Sequence, residues 1–238
     1  AKADLFRRCD RAVINADDSY ASAMLAAAAC PVLTTSVAEE KGLHAKNLEL
    51  LAEGIRFTAV CGEEQAEVRL PIPGKFTVYN ALTVLGVAKQ LGISLGNCAD
   101  ALKTAQGVKG RVEVVPTPGK PYSVLIDYAH TPDGLENVLS SVKDFCKGRL
   151  ISVFGCGGDR DPMKRPIMGK IGVQLSDIAI ITSDNPRTEN PMAIIEDILK
   201  GVNSPKNNYE IIENRPKAIR YAMDIAEKDD IIVLAGKG

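Results

Sequence analysis

After Gly110 the chain alternates short apolar runs with longer amphipathic segments, and this alternation restricts the fold more than any other feature. Runs rich in Val, Ile and Leu occupy residues 122–126, 150–154, 178–181, 209–212 and 231–234. Between them, 132–147, 161–175, 191–202 and 215–228 read as helices. Continuous β-branched runs separated by helices predict an α/β domain, a mostly parallel buried sheet with helices on both faces. In such sheets ligands bind outside the carboxyl ends of the strands, so the turns after each run are where function is to be sought.

The first part of the chain has a different texture. Short strands are expected at 11–15 and 32–37, and a hairpin at 55–61 and 66–70 turning near Gly62. Asp17 and Asp18 offer N-caps for an Ala-rich helix ending before Pro31. Helical spacing of Val78, Leu82 and Leu85 predicts a helix over 76–91, with a second over 97–105. Gly107 and Gly110 punctuate the chain, so the expected domains are 1–108 and 109–238.

Composition removes several function classes. With 29 basic and 30 acidic residues the formal charge is −1, so no general field attracts nucleic acid or anionic lipid. The longest apolar stretch, 21–33, is broken by Pro31 and falls short of the about 20 residues a membrane helix needs. Six cysteines without a CxxC pair, beside two histidines, speak against a zinc site and suggest buried free thiols in a reducing cytosol. No signal peptide is recognisable; the chain opens at Ala1-Lys2 without Met, and both ends read as cut.

Three strand ends carry polar turns. Asp127-Tyr128-Ala129-His130-Thr131-Pro132 follows the first run: Asp127 could accept ribose hydroxyls, or Asp127 and Thr131 could simply cap the helix. Gly155-Cys156-Gly157-Gly158-Asp159-Arg160-Asp161 follows the second, and its glycines allow close backbone approach to a ligand. It lacks the GxxxxGK[ST] spacing, and Arg160 stands where a GxGxxG fingerprint needs its last glycine. Arg160, Lys164 and Arg165 gather positive charge beside it. Ser183-Asp184-Asn185-Pro186-Arg187-Thr188 follows the third, a Pro-fixed turn whose Arg187 is placed to grip an anion. Asn80 interrupts an apolar helix as either a satisfied buried amide or a base-reading one.

These pieces together resemble the Mur ligase family, the ATP-dependent amide-forming enzymes of peptidoglycan assembly. The resemblance rests on Gly110-Arg111-Val112-Glu113, on the turns at 127–132, 154–161 and 184–187 with Lys164-Arg165-Pro166, and on Ala235-Gly236-Lys237-Gly238. It covers essentially the whole chain, in family order. It implies the later part of a P-loop-type α/β ATPase domain over 1–108, without the Walker loop, and a Rossmann-like amino-acid-binding domain over 109–238.

The implied reaction adds meso-diaminopimelate to UDP-N-acetylmuramoyl-L-alanyl-D-glutamate, with ATP and Mg2+, through an acyl phosphate. A monomer in the bacterial cytoplasm is expected, and the chain alone is expected to be inactive. By resemblance Lys2 is a carbamylated lysine that helps hold magnesium. Asn80, Arg111, Asp127 and His130 contact ATP, although Thr77 replaces the first Asn of the family's (F/H)NxxN stretch. Arg160, Asp184, Asn185, Pro186, Arg187 and Gly236 form the diaminopimelate site. A site built for the far carboxylate rejects lysine because Arg187 is left unpaired, and a buried charge without its partner costs about 3–5 kcal/mol, several hundredfold or more in discrimination. The alternatives are a lysine-adding ligase and a non-catalytic nucleotide- or amino-acid-binding module. A folate polyglutamate ligase would share the architecture, but the Asp184–Arg187 turn speaks against it.

Overall fold

The computed structural model of the protein describes residues 3–203 and 207–237. Two units emerge, Ala1–Gln106 and Gly107–Gly238. The first contains α1 (Ala3–Phe6), β1 (Ala12–Asn15), α2 (Ala21–Ala27), β2 (Val32–Ser36), β3 (Leu43–Leu51), β4 (Gly54–Cys61), β5 (Glu64–Leu70), α3 (Lys75–Gln90) and α4 (Leu95–Leu102). Its sheet runs β1-β2-β3-β4-β5, with β1, β2 and β3 parallel and β3, β4 and β5 antiparallel. Val78, Ala81, Leu82 and Leu85 of α3 lie against Leu43, Ile55, Phe57 and Val68 in one core.

The expected hairpin forms, with Gly62 at φ +63° in its turn. The longest strand among the described residues, β3, has no counterpart in the sequence pattern. Its sequence does not alternate because the register shifts between Lys46 and Glu49, where Asn47 adopts φ +52°. Such an irregularity moves later side chains out of phase and erases the two-residue pattern.

The capping reading of Asp17 is corrected. Its carboxylate accepts the Ser36 hydroxyl at 2.6 Å and the Val37 amide at 2.7 Å, while α2 begins at Ala21 with no side-chain cap. The cysteines are free, but the expectation that they are buried is corrected: only Cys98 and Cys156 are, the other four are half-buried, and the Cys9 and Cys30 sulfurs meet at 3.5 Å.

The second unit contains β6 (Glu113–Val115), β7 (Ser123–Asp127), α5 (Pro132–Lys143), β8 (Leu150–Phe154), α6 (Lys164–Leu175), β9 (Ile178–Ile181), α7 (Pro191–Leu199), β10 (Tyr209–Ile211), α8 (Arg215–Ile225) and β11 (Ile231–Ala235). Sheet order is β10-β9-β8-β11-β7-β6, all parallel except the short β6. Side chains alternate across the sheet. Val124, Ile151, Val153, Ile180 and Ile232 therefore face α8, burying Ala218 and Ala222. Phe154, one residue past Val153, packs instead against Gly172 of α6. Helices thus cover both faces, and the carboxyl ends of β7, β8, β9 and β11 share one edge.

The helices are shorter than the sequence suggests. Asp161 accepts the Met163 amide at 2.9 Å in a turn ahead of α6, which starts only at Lys164. Thr131 caps α5: its hydroxyl accepts the Gly134 amide at 3.2 Å, and Pro132 occupies the first turn. Asp127 takes no part in that cap. Thr131→Ala is expected to cost about 1 kcal/mol in urea unfolding; an unchanged midpoint would show that the cap is idle.

Candidate functional site

Each of the four carboxyl ends delivers a loop, and backbone bonds tie the loops together. At the end of β7, the Asp127 carbonyl accepts the Gly236 amide at 2.9 Å, and the Tyr128 amide donates to the Gly110 carbonyl at 2.7 Å. Asp127 is buried, and its Oδ2 accepts the Val112 amide at 2.9 Å. Val112 sits at φ +44°, a region a β-branched residue rarely enters, so this bond holds an unfavourable backbone in place. Beyond it, the Tyr128 and His130 rings lie 4.9 Å apart. His130 Nδ1 is 2.8 Å from the Tyr128 carbonyl, and Lys164 Nζ donates to the His130 carbonyl at 2.7 Å.

The glycine-rich loop after β8 lies directly on the turn after β9. The Gly158 amide donates to the Asn185 carbonyl at 2.9 Å, and Arg187 Nη1 donates to the Gly158 carbonyl at 2.7 Å. A Cβ at position 158 would drive into the Pro186 carbonyl, so only glycine permits this approach. Gly236, after β11, is constrained differently: its φ of +91° is a region other residues rarely adopt, while a Cβ there would stand 2.8 Å from the movable Asp184 Oδ2.

Arg215, buried at the start of α8, donates Nη2 to the Ala235 carbonyl at 3.1 Å and also to the Lys237 carbonyl, fixing the Gly236 turn from behind. Burial pulls its pKa down, and the neighbouring Asp184 charge opposes that. Cys156, also within the glycine-rich loop, is buried, and that burial pushes its thiol up to about 11.

Together the loops enclose an open cleft of about 690 Å³. Asp127, His130, Arg160, Asp184, Asn185, Arg187 and Gly236 all line it. Among the other named residues, Pro186 is not in the lining, its carbonyl lying against Gly158, and Arg111 is exposed outside the lining. Asn80 belongs to the first unit and is exposed on α3, which removes the buried-amide reading. Lys2 lies outside the described residues.

Sequence reasoning did not assign Tyr128, Asp161, Lys164 or Lys237 to the site. Lys164 was visible as local positive charge; Lys237 could be placed only once β11 was known to lie beside β7. Arg165 does not contribute to that charge: it points inward and pairs with Glu189 and Asp197.

The cleft therefore presents four cations, Arg160, Lys164, Arg187 and Lys237, against three carboxylates, Asp127, Asp161 and Asp184. Mixed charge of this kind suits a zwitterion better than a simple polyanion. Arg187 is exposed in the open cleft, which corrects the expectation of a buried charge. Its solvated guanidinium does not carry the full penalty of an unpaired buried ion.

Comparison with known proteins gives two family matches. The model described as "Mur ligase, glutamate ligase domain" matches residues 110–238, and "Mur ligase middle domain" matches residues 1–88. A UDP-N-acetylmuramoyl-L-alanyl-D-glutamate–2,6-diaminopimelate ligase from Clostridium botulinum is 49% identical over 100% of this chain and 49% of its own length. The ligase of the same name from Clostridioides difficile is 43% identical over 100% of the chain and 50% of its own. A solved structure of a ligase with this name superposes with TM-score 0.79 at 35% identity, over 100% of this chain and 50% of that one. Folylpolyglutamate synthase from Thermotoga maritima shares the fold at TM-score 0.68 and 24% identity, over 94% of this chain and 51% of that one. The chain spans about half the length of the curated relatives it matches.

Proposed function

The chain belongs to the Mur ligase family, and on that premise we propose that it forms the amino-acid-binding part of an ATP-dependent ligase that joins meso-diaminopimelate to UDP-N-acetylmuramoyl-L-alanyl-D-glutamate. The observation that carries this reading is Arg187, held in the cleft by the Gly158 carbonyl, in a lining that also contains Asp184. Diaminopimelate has an ammonium and a carboxylate at each end. Lysine lacks the far carboxylate. Arg187 offers that carboxylate a planar fork of donors, while Asp184 and Asn185 suit an ammonium group, and Arg160 a second carboxylate.

The chemistry is an amide synthesis. ATP transfers its terminal phosphate to the D-Glu carboxylate, the diaminopimelate amine attacks the resulting acyl phosphate, and phosphate leaves the tetrahedral intermediate. Positioning and charge neutralisation supply most of the acceleration in such a reaction. For the nucleotide, Asp127 keeps one carboxylate oxygen free of the Val112 amide and so fits a ribose hydroxyl. His130, Arg111 and Asn80 are the further nucleotide contacts in this reading. Magnesium would neutralise the phosphates, with the Lys2 carbamate as a ligand.

Among the described residues no helix is long and apolar enough to cross a membrane. Work in the bacterial cytoplasm as a monomer is part of the proposal. Calorimetric titration of this chain with meso-diaminopimelate and L-lysine tests it. Saturable heat is expected from diaminopimelate, with lysine weaker by roughly tenfold or more, as befits the loss of one charge-assisted fork. Equal affinity, or tighter lysine binding, would refute the reading.

A further inference from the structure

Arg187 and Asp159 both sit in the left-handed region, at φ +52° and +51°. Neither residue type favours that region as glycine does, and two such residues facing each other across two loops need an external hold. The hold is visible. The Asp159 carboxylate accepts the Thr188 hydroxyl at 2.8 and 3.0 Å and the Thr188 amide at 3.2 Å, locking the residue that follows Arg187. The Asp159 amide in turn donates to Glu189 Oε1 at 2.6 Å. Glu189 Oε1 also accepts Arg165 Nη2 at 2.7 Å, and Arg165 Nη1 donates to Asp197 at 2.9 Å on α7. Arg165 is only 3% exposed, so the chain of bonds ends on a side chain fixed by packing.

We propose that Asp159, anchored through Glu189 to the buried Arg165, is a specificity-determining positioning residue that sets where the Arg187 guanidinium stands in the cleft. It does not itself line the cleft. It acts by fixing the backbone on the far side of Arg187, while the Gly158 carbonyl fixes the guanidinium. Thr188 hydrogen bonds, the hydroxyl's first, hold the Asp159 carboxyl below the usual carboxylate range, so the clamp stays charged through neutral pH. The inference rests on the reading of Arg187 as the receptor for the second carboxylate.

Three variants separate the clamp from ordinary structural loss. Asp159→Gly tolerates positive φ but has no acceptor; Asp159→Asn also tolerates it and keeps one. Thr188→Val keeps the shape of the side chain and loses the hydroxyl. The readouts are calorimetric affinities for meso-diaminopimelate and L-lysine, and the exchange rate of the Thr188 amide. Asp159→Gly is expected to weaken diaminopimelate roughly tenfold or more, leave lysine within about twofold, and speed Thr188 exchange, because a displaced binding group loses most of its worth.

Thr188→Val should move diaminopimelate in the same direction by less, and Asp159→Asn should restore most of the loss. A diaminopimelate-to-lysine ratio unchanged in Asp159→Gly, in a protein where Arg187→Ala destroys that ratio, would overturn this inference and leave the proposed function standing. A wild-type chain with no preference for diaminopimelate would overturn both.

Discussion

Arg187→Ala is expected to erase the proposed preference for diaminopimelate over lysine. A hydrogen bond to a charged group contributes about 1.5–3 kcal/mol, so losing the guanidinium fork should weaken diaminopimelate by roughly ten- to hundredfold. Lysine has nothing to offer that fork, so its affinity should hardly change. This estimate is smaller than the several hundredfold expected of a buried charge, because Arg187 is exposed in the open cleft and water solvates it when no ligand is bound. Arg187→Lys isolates the geometry: it keeps the charge but loses the planar fork, and should fall between wild type and Arg187→Ala. Titrations with both amino acids decide the matter. If Arg187→Ala retains the wild-type ratio, the carboxylate is read elsewhere in the cleft, and Arg160 or Lys237 becomes the candidate.

The parts of this site that the sequence made legible are those where local pattern and tertiary structure agree. β8 and β9 were read to the residue because they are central, buried runs of β-branched and aromatic residues that end in glycine or polar turns. Their turns could then be placed on a common edge. β3 escaped notice because the irregularity at Asn47 disrupts its phase, and β6 because three residues ahead of Pro116 are too few to show a period. The insertion of β11 between β7 and β8 is a long-range pairing that no local window contains. It is the reason Gly236 and Lys237 stand beside Asp127. The Asp159–Glu189–Arg165 chain has the same character: its two bonded pairs are 30 and 24 residues apart, and Arg165 reads in sequence as one more cation beside Lys164.

At the opposite ends of the strands, Asp230→Ala is expected to produce the largest loss of stability. Asp230 precedes β11 and is only 2% exposed. Its carboxylate accepts the Arg149 amide at 2.6 Å, Arg149 Nε at 3.0 Å, Arg149 Nη2 at 2.7 Å and the Glu227 amide at 2.8 Å. Its own carbonyl accepts the Ser123 amide at the start of β7, so one residue links the entry points of three strands. Truncating it strips the Arg149 and Glu227 amides of their acceptor, and because the Arg149 side chain is 34% exposed and water can solvate its charge, the cost is about 1–3 kcal/mol.

The pH dependence follows from the sign of the pKa shift. Burial pushes the Asp230 carboxyl up, but the Arg149 and Glu227 bonds together outweigh it and leave the folded pKa below its ordinary value. A depressed folded pKa means the contribution is fully present above the unfolded value of about 3.9, and fades as pH falls through the lower folded value. The gap in urea stability between wild type and Asp230→Ala should therefore be constant through neutral pH and narrow below about pH 4. Diaminopimelate selectivity should not move, since the cleft lies at the other ends of the strands. A gap that persists undiminished in acid would mean that packing around Asp230, not its charge, holds this end of the sheet.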